Sequence, residues 1–225
     1  VTKLSGRQMH PVASIVGGFT HILKKDELDY IKGLMKDARK DAVETLKLFL
    51  SLEYPHIERD IEYVCIYQKD QVPLIDGVVV SDHGLHVEPK EYGALIKEYI
   101  EPYSTAKFAV REGKEYFLGA LARMNISWEA VSPDIRALVK KSKIRFPSKN
   151  PFHNLVAQAV ELAHWTDLAV KLAESLDLQD EPVQEVTPKA GKGVGITEAP
   201  RGLLFHEYEF DERGVCTACR IMTPT

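Results

Sequence analysis

Two stretches of this chain repeat their apolar residues at three- and four-residue intervals, each for long enough to form a helix of roughly 35 Å. In the first, Leu28, Ile31, Leu34, Met35, Ala38, Ala42, Leu46 and Phe49 share a face, and Asp26 stands where a helix cap is wanted. In the second, which starts near Asn150-Pro151, the face is Leu155, Ala159, Leu162, Ala163, Thr166, Ala169, Leu172 and Leu176. An apolar stripe of that length must be buried, and a second helix of matching length covers it well. Two long packed helices are therefore the expected frame.

Between and after the helices the period changes. Ile61 to Tyr67 and Val78 to Val80 are rich in β-branched and aromatic residues and are separated by the turn pair Asp76-Gly77, so both read as strands. Lys107 to Val110 and Tyr116 to Leu121 flank Arg111-Glu112-Gly113-Lys114 and read as a hairpin. Leu203 to Phe210 and Val215 to Met222, around Asp211-Glu212-Arg213-Gly214, read as a second hairpin. The stretch from Gln179 to Gly195 carries acids, two prolines and three glycines, which predicts an exposed connection. Helices and strands come in blocks rather than alternating, so the expected class is α+β: two long packed helices, antiparallel strands and a C-terminal β-hairpin. The expected organisation over residues 1–225 is one module, with a loop and helix at 1–55, mostly strands at 56–149, a helix at 150–178, and a linker and hairpin at 179–225.

Bulk properties exclude some functions. A net charge of -4 and a pI near 6.1 give no field that would attract nucleic acid or an anionic membrane surface. There is no apolar run long enough to span a bilayer and no secretory signal pattern at the amino end, so the expectation is a cytoplasmic protein. The three cysteines, an odd number, argue against a secreted disulfide framework and for reduced thiols. The chain opens at Val1 rather than Met and stops just after an alternating apolar stretch, and it is expected to be an internal part of something longer.

Cys216-Thr217-Ala218-Cys219 has the spacing of zinc and redox motifs, yet it falls on a predicted strand, where residues three apart face opposite ways, and no second ligand pair accompanies it. Structural cysteines are the expectation, and Cys65 reads as plain core. His153 and His164 lie three helical turns apart and cannot share a metal, whereas His83 and His86 fit a solvated turn. Glu112 to Glu115 fits another such turn.

The most informative string is Thr197-Glu198-Ala199-Pro200-Arg201-Gly202-Leu203-Leu204-Phe205-His206. Pro200 fixes the backbone on one side of Arg201 and Gly202 frees it on the other, which aims a permanently charged fork at one point. An arginine so placed is by itself more often a surface residue. Four further strings accompany it: Gly6-Arg7-Gln8-Met9-His10-Pro11 with Gly17-Gly18; Pro102-Tyr103-Ser104-Thr105-Ala106-Lys107; Gly119-Ala120-Leu121-Ala122-Arg123-Met124-Asn125; and Asn150-Pro151-Phe152-His153-Asn154 with Gln158-Ala159. In that order, and nearly from end to end, they resemble the large (alpha) subunits of nickel-iron hydrogenases, in particular the soluble cytoplasmic branch.

The resemblance implies part of a catalyst that converts dihydrogen reversibly into protons and electrons at a nickel-iron centre. In that family two Cys-x-x-Cys motifs, one towards each end of the large subunit, supply the four thiolate ligands. Neither is recognisable here, so the stretch itself is expected to bind no metal and to be inactive alone. The resemblance also implies that Arg201 is a cation over the open side of the metals, that Pro200 lines the same pocket, and that His10 lies at an interface or on the electron path. The partners it implies are electron-acceptor subunits and an iron-sulfur small subunit. Two alternatives stand beside it. One is a non-catalytic relative similar to the quinone-site subunit of respiratory complex I, which typically has lysine where this chain has Arg201. The other is a small interaction module with a zinc site at Cys216 and Cys219.

Overall fold

The computed structural model describes residues 2–9, 11–179 and 181–224. A short helix, α1 (Thr2–Ser5), precedes a two-residue ladder of β1 (Ser14–Ile15) with β2 (Gly18–Phe19). The first long helix, α2 (Lys25–Ser51), follows directly. Next come β3 (Glu62–Tyr67), β4 (Val78–Ser81), β5 (His86–Val87), α3 (Pro89–Leu95), β6 (Ile96–Ile100), β7 (Lys107–Arg111) and β8 (Tyr116–Phe117). Two helices, α4 (Ala120–Ser127) and α5 (Pro133–Lys140), lead to the second long helix, α6 (Asn154–Ser175). The chain closes on β9 (Gly191–Ala199), β10 (Gly202–Phe210) and β11 (Cys216–Met222).

The two long helices form as their periodicity predicts, and their mutual contact is the most extensive between any two elements described. Asp26 lies within the first turn of α2, one residue inside the start. The cap is instead made by Glu27, whose side chain accepts the backbone N–H of Lys24 at 3.1 Å. On α6 the buried face differs from the one the leucines mark. Val156, Ala159, Val160 and Ala163 are buried against the core, while Leu155, Leu162 and Leu172 stand in solvent. A helix apolar on most of its circumference carries little phase information. The small residues go inward here because α2 approaches closely on that side.

β3 is the wall between two cores. Its alternation sends Tyr63 and Cys65 towards α2, α4, α5 and α6, where Ala42, Leu46, Leu121, Met124, Ile135, Val139, Val156 and Val160 are buried. It sends Val64 and Ile66 the other way, onto Val79, Tyr92, Ile96, Ile196, Leu203, Phe205 and Met222. A strand covered on both faces reads as a continuous apolar run, and Tyr63 to Ile66 does so.

Three sequence expectations need correction. The turn at 111–114 forms, with reciprocal backbone bonds of 3.0 and 2.9 Å between Arg111 and Lys114, and Glu112 and Gly113 both take positive φ. Its flanking strands do not pair with each other, however. β7 pairs back onto β6, β8 runs parallel to β3, and the stretch after Phe117 turns into α4. Short helices α3 and α4 fall where strand or no regular structure is expected, since seven or eight residues hold too few periods to read. Residues 191–195, expected in an exposed connection, belong to β9, which pairs antiparallel with β10 over nine residues, Gly202↔Ala199 through Phe210↔Gly191. Glycine lowers strand propensity, but a long partner strand overrides it. The last sheet therefore has three strands, in the order β11-β10-β9.

The α6 assignment is testable by two truncations. Val160→Ala removes buried methyls and should cost on the order of 2 kcal/mol in urea unfolding, whereas the exposed Leu162→Ala should stay within about 0.5 kcal/mol of the parent. The reverse ranking would restore the leucine face as the buried one.

Candidate functional site

The informative string folds as a hairpin tip. β9 ends at Ala199, β10 begins at Gly202, and the two are register partners, so Pro200 and Arg201 form the loop between them. Pro200 occupies the turn position that a fixed φ suits, and Gly202 closes the turn. Gly202 has φ +132, and a Cβ on it would lie 2.4 Å from Cβ of Leu118. Gly119 has φ +89, and a Cβ there would lie 2.9 Å from the Arg201 carbonyl oxygen. Each glycine lets the turn lie directly on the backbone that starts α4.

One helical turn into α4 stands Arg123, buried with all five of its N–H groups engaged. Nε donates to Glu161 Oε1 at 2.5 Å, and Nη2 donates to Glu161 Oε2 at 2.7 Å, a bidentate pair with α6. Nη1 donates to Glu198 Oε2 at 2.5 Å. The remaining two hydrogens reach the carbonyls of Ala199 and Pro200, each at 3.1 Å. Glu198 spends its other oxygen on the backbone N–H of Ile66 in β3, at 2.8 Å, and its own N–H donates to the Leu74 carbonyl at 2.7 Å. One guanidinium therefore ties α4, α6, β9 and the hairpin tip together, with β3 joined through Glu198.

The electrostatics follow from burial and pairing. Burial pushes the Glu198 carboxyl above its ordinary value, partly offset by the Arg123 charge and the two hydrogen bonds it accepts. For Arg123 burial works against the charge, but the bonds and charges of Glu161 and Glu198 outweigh it and the guanidinium is held more firmly protonated than usual. Removing one member of such a cluster leaves uncompensated buried charge, which costs about 3–5 kcal/mol.

Arg201 itself is exposed, as is Pro200. The acid beside it in sequence, Glu198, turns inward to Arg123 and does not pair with Arg201. His10 lies outside the described residues. Cys216 and Cys219 are exposed on β11, whereas Cys65 is buried, and burial pushes its thiol well up, so it lacks the character of an activated thiolate. His153 sits in the 3-10 turn ahead of α6 rather than on the helix and shares a hydrogen bond with Ser148 Oγ at 2.7 Å. His164 is buried on α6 against Ser132, with its basicity lowered by burial. His83 and His86 are exposed. Among the described residues no three His, Cys, Asp or Glu side chains gather in a way that could hold a metal ion.

Sequence reasoning missed Arg123 and Glu161. Their signal was present: each is a lone charge inside an apolar stretch, Ala120 to Met124 and Leu155 to Ala163, where an unpaired charge would not be tolerated. The asparagines of the flanking strings also hold backbone in place. Asn125 exchanges two bonds with Ser148, at 2.9 and 2.8 Å, Asn150 reaches the Pro55 carbonyl at 2.7 Å, and Asn154 accepts from Leu121 N–H at 3.1 Å.

This arrangement of helices and sheets is that of part of a nickel-iron hydrogenase large subunit. An NAD+-reducing [NiFe]-hydrogenase in the H2-reduced state aligns with 99% of this chain and 54% of its own, with a TM-score of 0.78 and 21% identity. The Ni-Fe-Se hydrogenase of D. vulgaris Hildenborough aligns with 99% of this chain and 56% of its own, with a TM-score of 0.75 and 19% identity. In sequence, the chain is 28% identical over 226 residues to the alpha subunit of sulfhydrogenase 1 from Pyrococcus furiosus, covering 99% of this chain and 53% of that one. It is 31% identical over 255 residues to a subunit of the F420-non-reducing hydrogenase of Methanothermobacter thermautotrophicus, covering 100% and 52%. No family model matches. The chain is thus related along its whole length to nickel-iron hydrogenase large subunits, and it spans about half the length of the curated relatives it matches.

Thiol labelling checks the cysteine assignments. Under native conditions an alkylating reagent should modify Cys216 and Cys219 and leave Cys65 unreacted until the chain is unfolded. Native modification of Cys65 at a comparable rate would contradict its burial.

Proposed function

We propose that this chain is part of the catalytic large subunit of a nickel-iron hydrogenase that reversibly oxidises dihydrogen, and that its own contribution to the reaction is Arg201, with Pro200 beside it. The observation that carries this reading is the hairpin tip. Arg201 sits on a two-residue turn anchored from within, and its guanidinium makes no hydrogen bond or ion pair among the described residues. A charge held in place and left without a partner suits a site completed by other segments of the enzyme. There a preorganised cation lowers the free energy of developing negative charge without reorganising. Lysine would be a poor substitute, because its ammonium is more strongly hydrated and lacks the planar fork.

The described residues do not fit as the ligands of a metal pair. No suitable cluster exists among them, and the buried Cys65 thiol resists the deprotonation that metal binding requires. In the complete large subunit the nickel-iron centre would rest on thiolates from other segments. The residues of this chain would hold Arg201 at the pocket wall, through the buried Arg123 that grips the turn from beneath. The proposed partners are electron-acceptor subunits and an iron-sulfur small subunit, with His10 at that interface or on the electron path. The proposed location is the cytoplasm, in keeping with reduced cysteines. Among the described residues no helix is long and apolar enough to cross a membrane. The non-catalytic, complex I-like reading is less well supported, since position 201 is arginine and the matching relatives are hydrogenases.

Two measurements test the reading. The purified chain alone should contain neither nickel nor iron in stoichiometric amount and should take up no dihydrogen; one nickel per chain with uptake activity would contradict it. In the complete enzyme, Arg201→Lys should lower turnover on the order of a hundredfold at normal nickel content. Unchanged turnover would remove Arg201 from the mechanism, and loss of nickel would make its role one of assembly.

A further inference from the structure

We propose that Arg123 is the positioning residue for Arg201. With Glu161 and Glu198 holding it in place, it grips the two carbonyls that precede Arg201 and so sets where the Arg201 guanidinium can reach. The inference rests on Arg201 being the cation that serves the reaction. Its basis is the distribution of hydrogen bonds. Three of the five N–H groups of Arg123 serve carboxylates, and those bonds fix the guanidinium between α4, α6 and β9. The other two go to successive backbone carbonyls, Ala199 and Pro200, at the turn itself. Pinning two neighbouring carbonyls fixes the orientation of both peptide planes, and the second is the plane whose N–H belongs to Arg201. On its far side the Arg201 carbonyl lies against Gly119, which heads the helix that carries Arg123.

Stability alone does not account for this device. A buried ion cluster is often no more stabilising than apolar residues of equal volume, so its presence points to specificity of placement as the gain. An exposed two-residue turn would otherwise sample several positions. The fork is also hard to replace. Lysine offers three donors from a single point and cannot span two carboxylates and two carbonyls that approach from different directions.

The test is a double-mutant cycle in the full-length hydrogenase holoenzyme, comparing Arg123→Lys, Arg201→Lys and the double variant. The readouts are nickel content, kcat and KM for dihydrogen, and amide hydrogen exchange over residues 199–203. Arg123→Lys is expected to keep its nickel, to lose roughly tenfold in kcat at unchanged KM, and to exchange faster over residues 199–203 than at the contact between α2 and α6. In the Arg201→Lys background the same change should cost nothing further, because its effect passes through Arg201. Slow Arg201→Lys with normal turnover and normal exchange in Arg123→Lys would overturn the positioning role alone. Losses that multiply in the double variant would do the same. Full turnover in Arg201→Lys would overturn the reading of Arg201, and the positioning proposal with it. If Arg123→Lys fails to load nickel, Glu161→Gln, which keeps the volume and weakens the anchor, takes its place in the cycle and is read the same way. Loss of nickel in both variants would make the cluster a folding element and overturn the proposal.

Discussion

A single buried cation, Arg123, organises the part of the molecule around the hairpin tip. Arg123 brings its charge into a nearly dry interior, which is costly unless every N–H finds an acceptor. The fold meets that demand with one carboxylate from α6, one from β9 and two carbonyls of the hairpin tip. The consequence is geometric. α4, α6 and the last sheet cannot slide relative to one another without leaving donors unmatched, so the tip that bears Arg201 inherits the rigidity of the two-helix frame. The frame in turn depends on small residues, Ala157, Ala159 and Ala163, which are buried along α6.

β3 transmits the same constraint in the other direction. Its two faces close two separate cores, and its Ile66 N–H meets Glu198, so the wall between the cores and the charged cluster share a member. Cys65 sits on that wall, and burial first, then the nearby Glu198 charge, keeps its thiol protonated and inert. The contrast with Arg201 is informative. Among the described residues the buried carboxylates Glu62, Glu161 and Glu198 are each paired with an arginine, whereas the charge at the hairpin tip, Arg201, makes no ion pair.

Much of this was legible in the sequence, for identifiable reasons. The long helices were readable because twenty or more residues hold enough periods to separate helix from strand, and the last hairpin because alternation and an Asp-Glu-Arg-Gly turn coincide. The strand pairing of β6, β7 and β8 was not readable. A turn of the right chemistry at 111–114 says nothing about whether the chain beyond it returns to the same partner, and here β8 is captured by β3. The buried face of α6 was misplaced because leucine outweighs alanine in any count of hydrophobicity, while close helix packing selects the smaller side chain. At the site, Arg201 and Pro200 stood out through a local motif, but Arg123 and Glu161 act through contacts spanning 38 to 77 positions of sequence, which no local pattern contains. Lone charges in apolar runs marked them all the same.

The proposal that Arg201 faces the metal pocket is tested by anomalous diffraction at the nickel edge from crystals of the complete large subunit. A nickel peak is expected on the side faced by the Pro200-Arg201 tip, within reach of a ligand that the Arg201 guanidinium can contact, with none near Cys216 or Cys219. A nickel peak remote from Arg201, or crystals that carry no nickel, would contradict it.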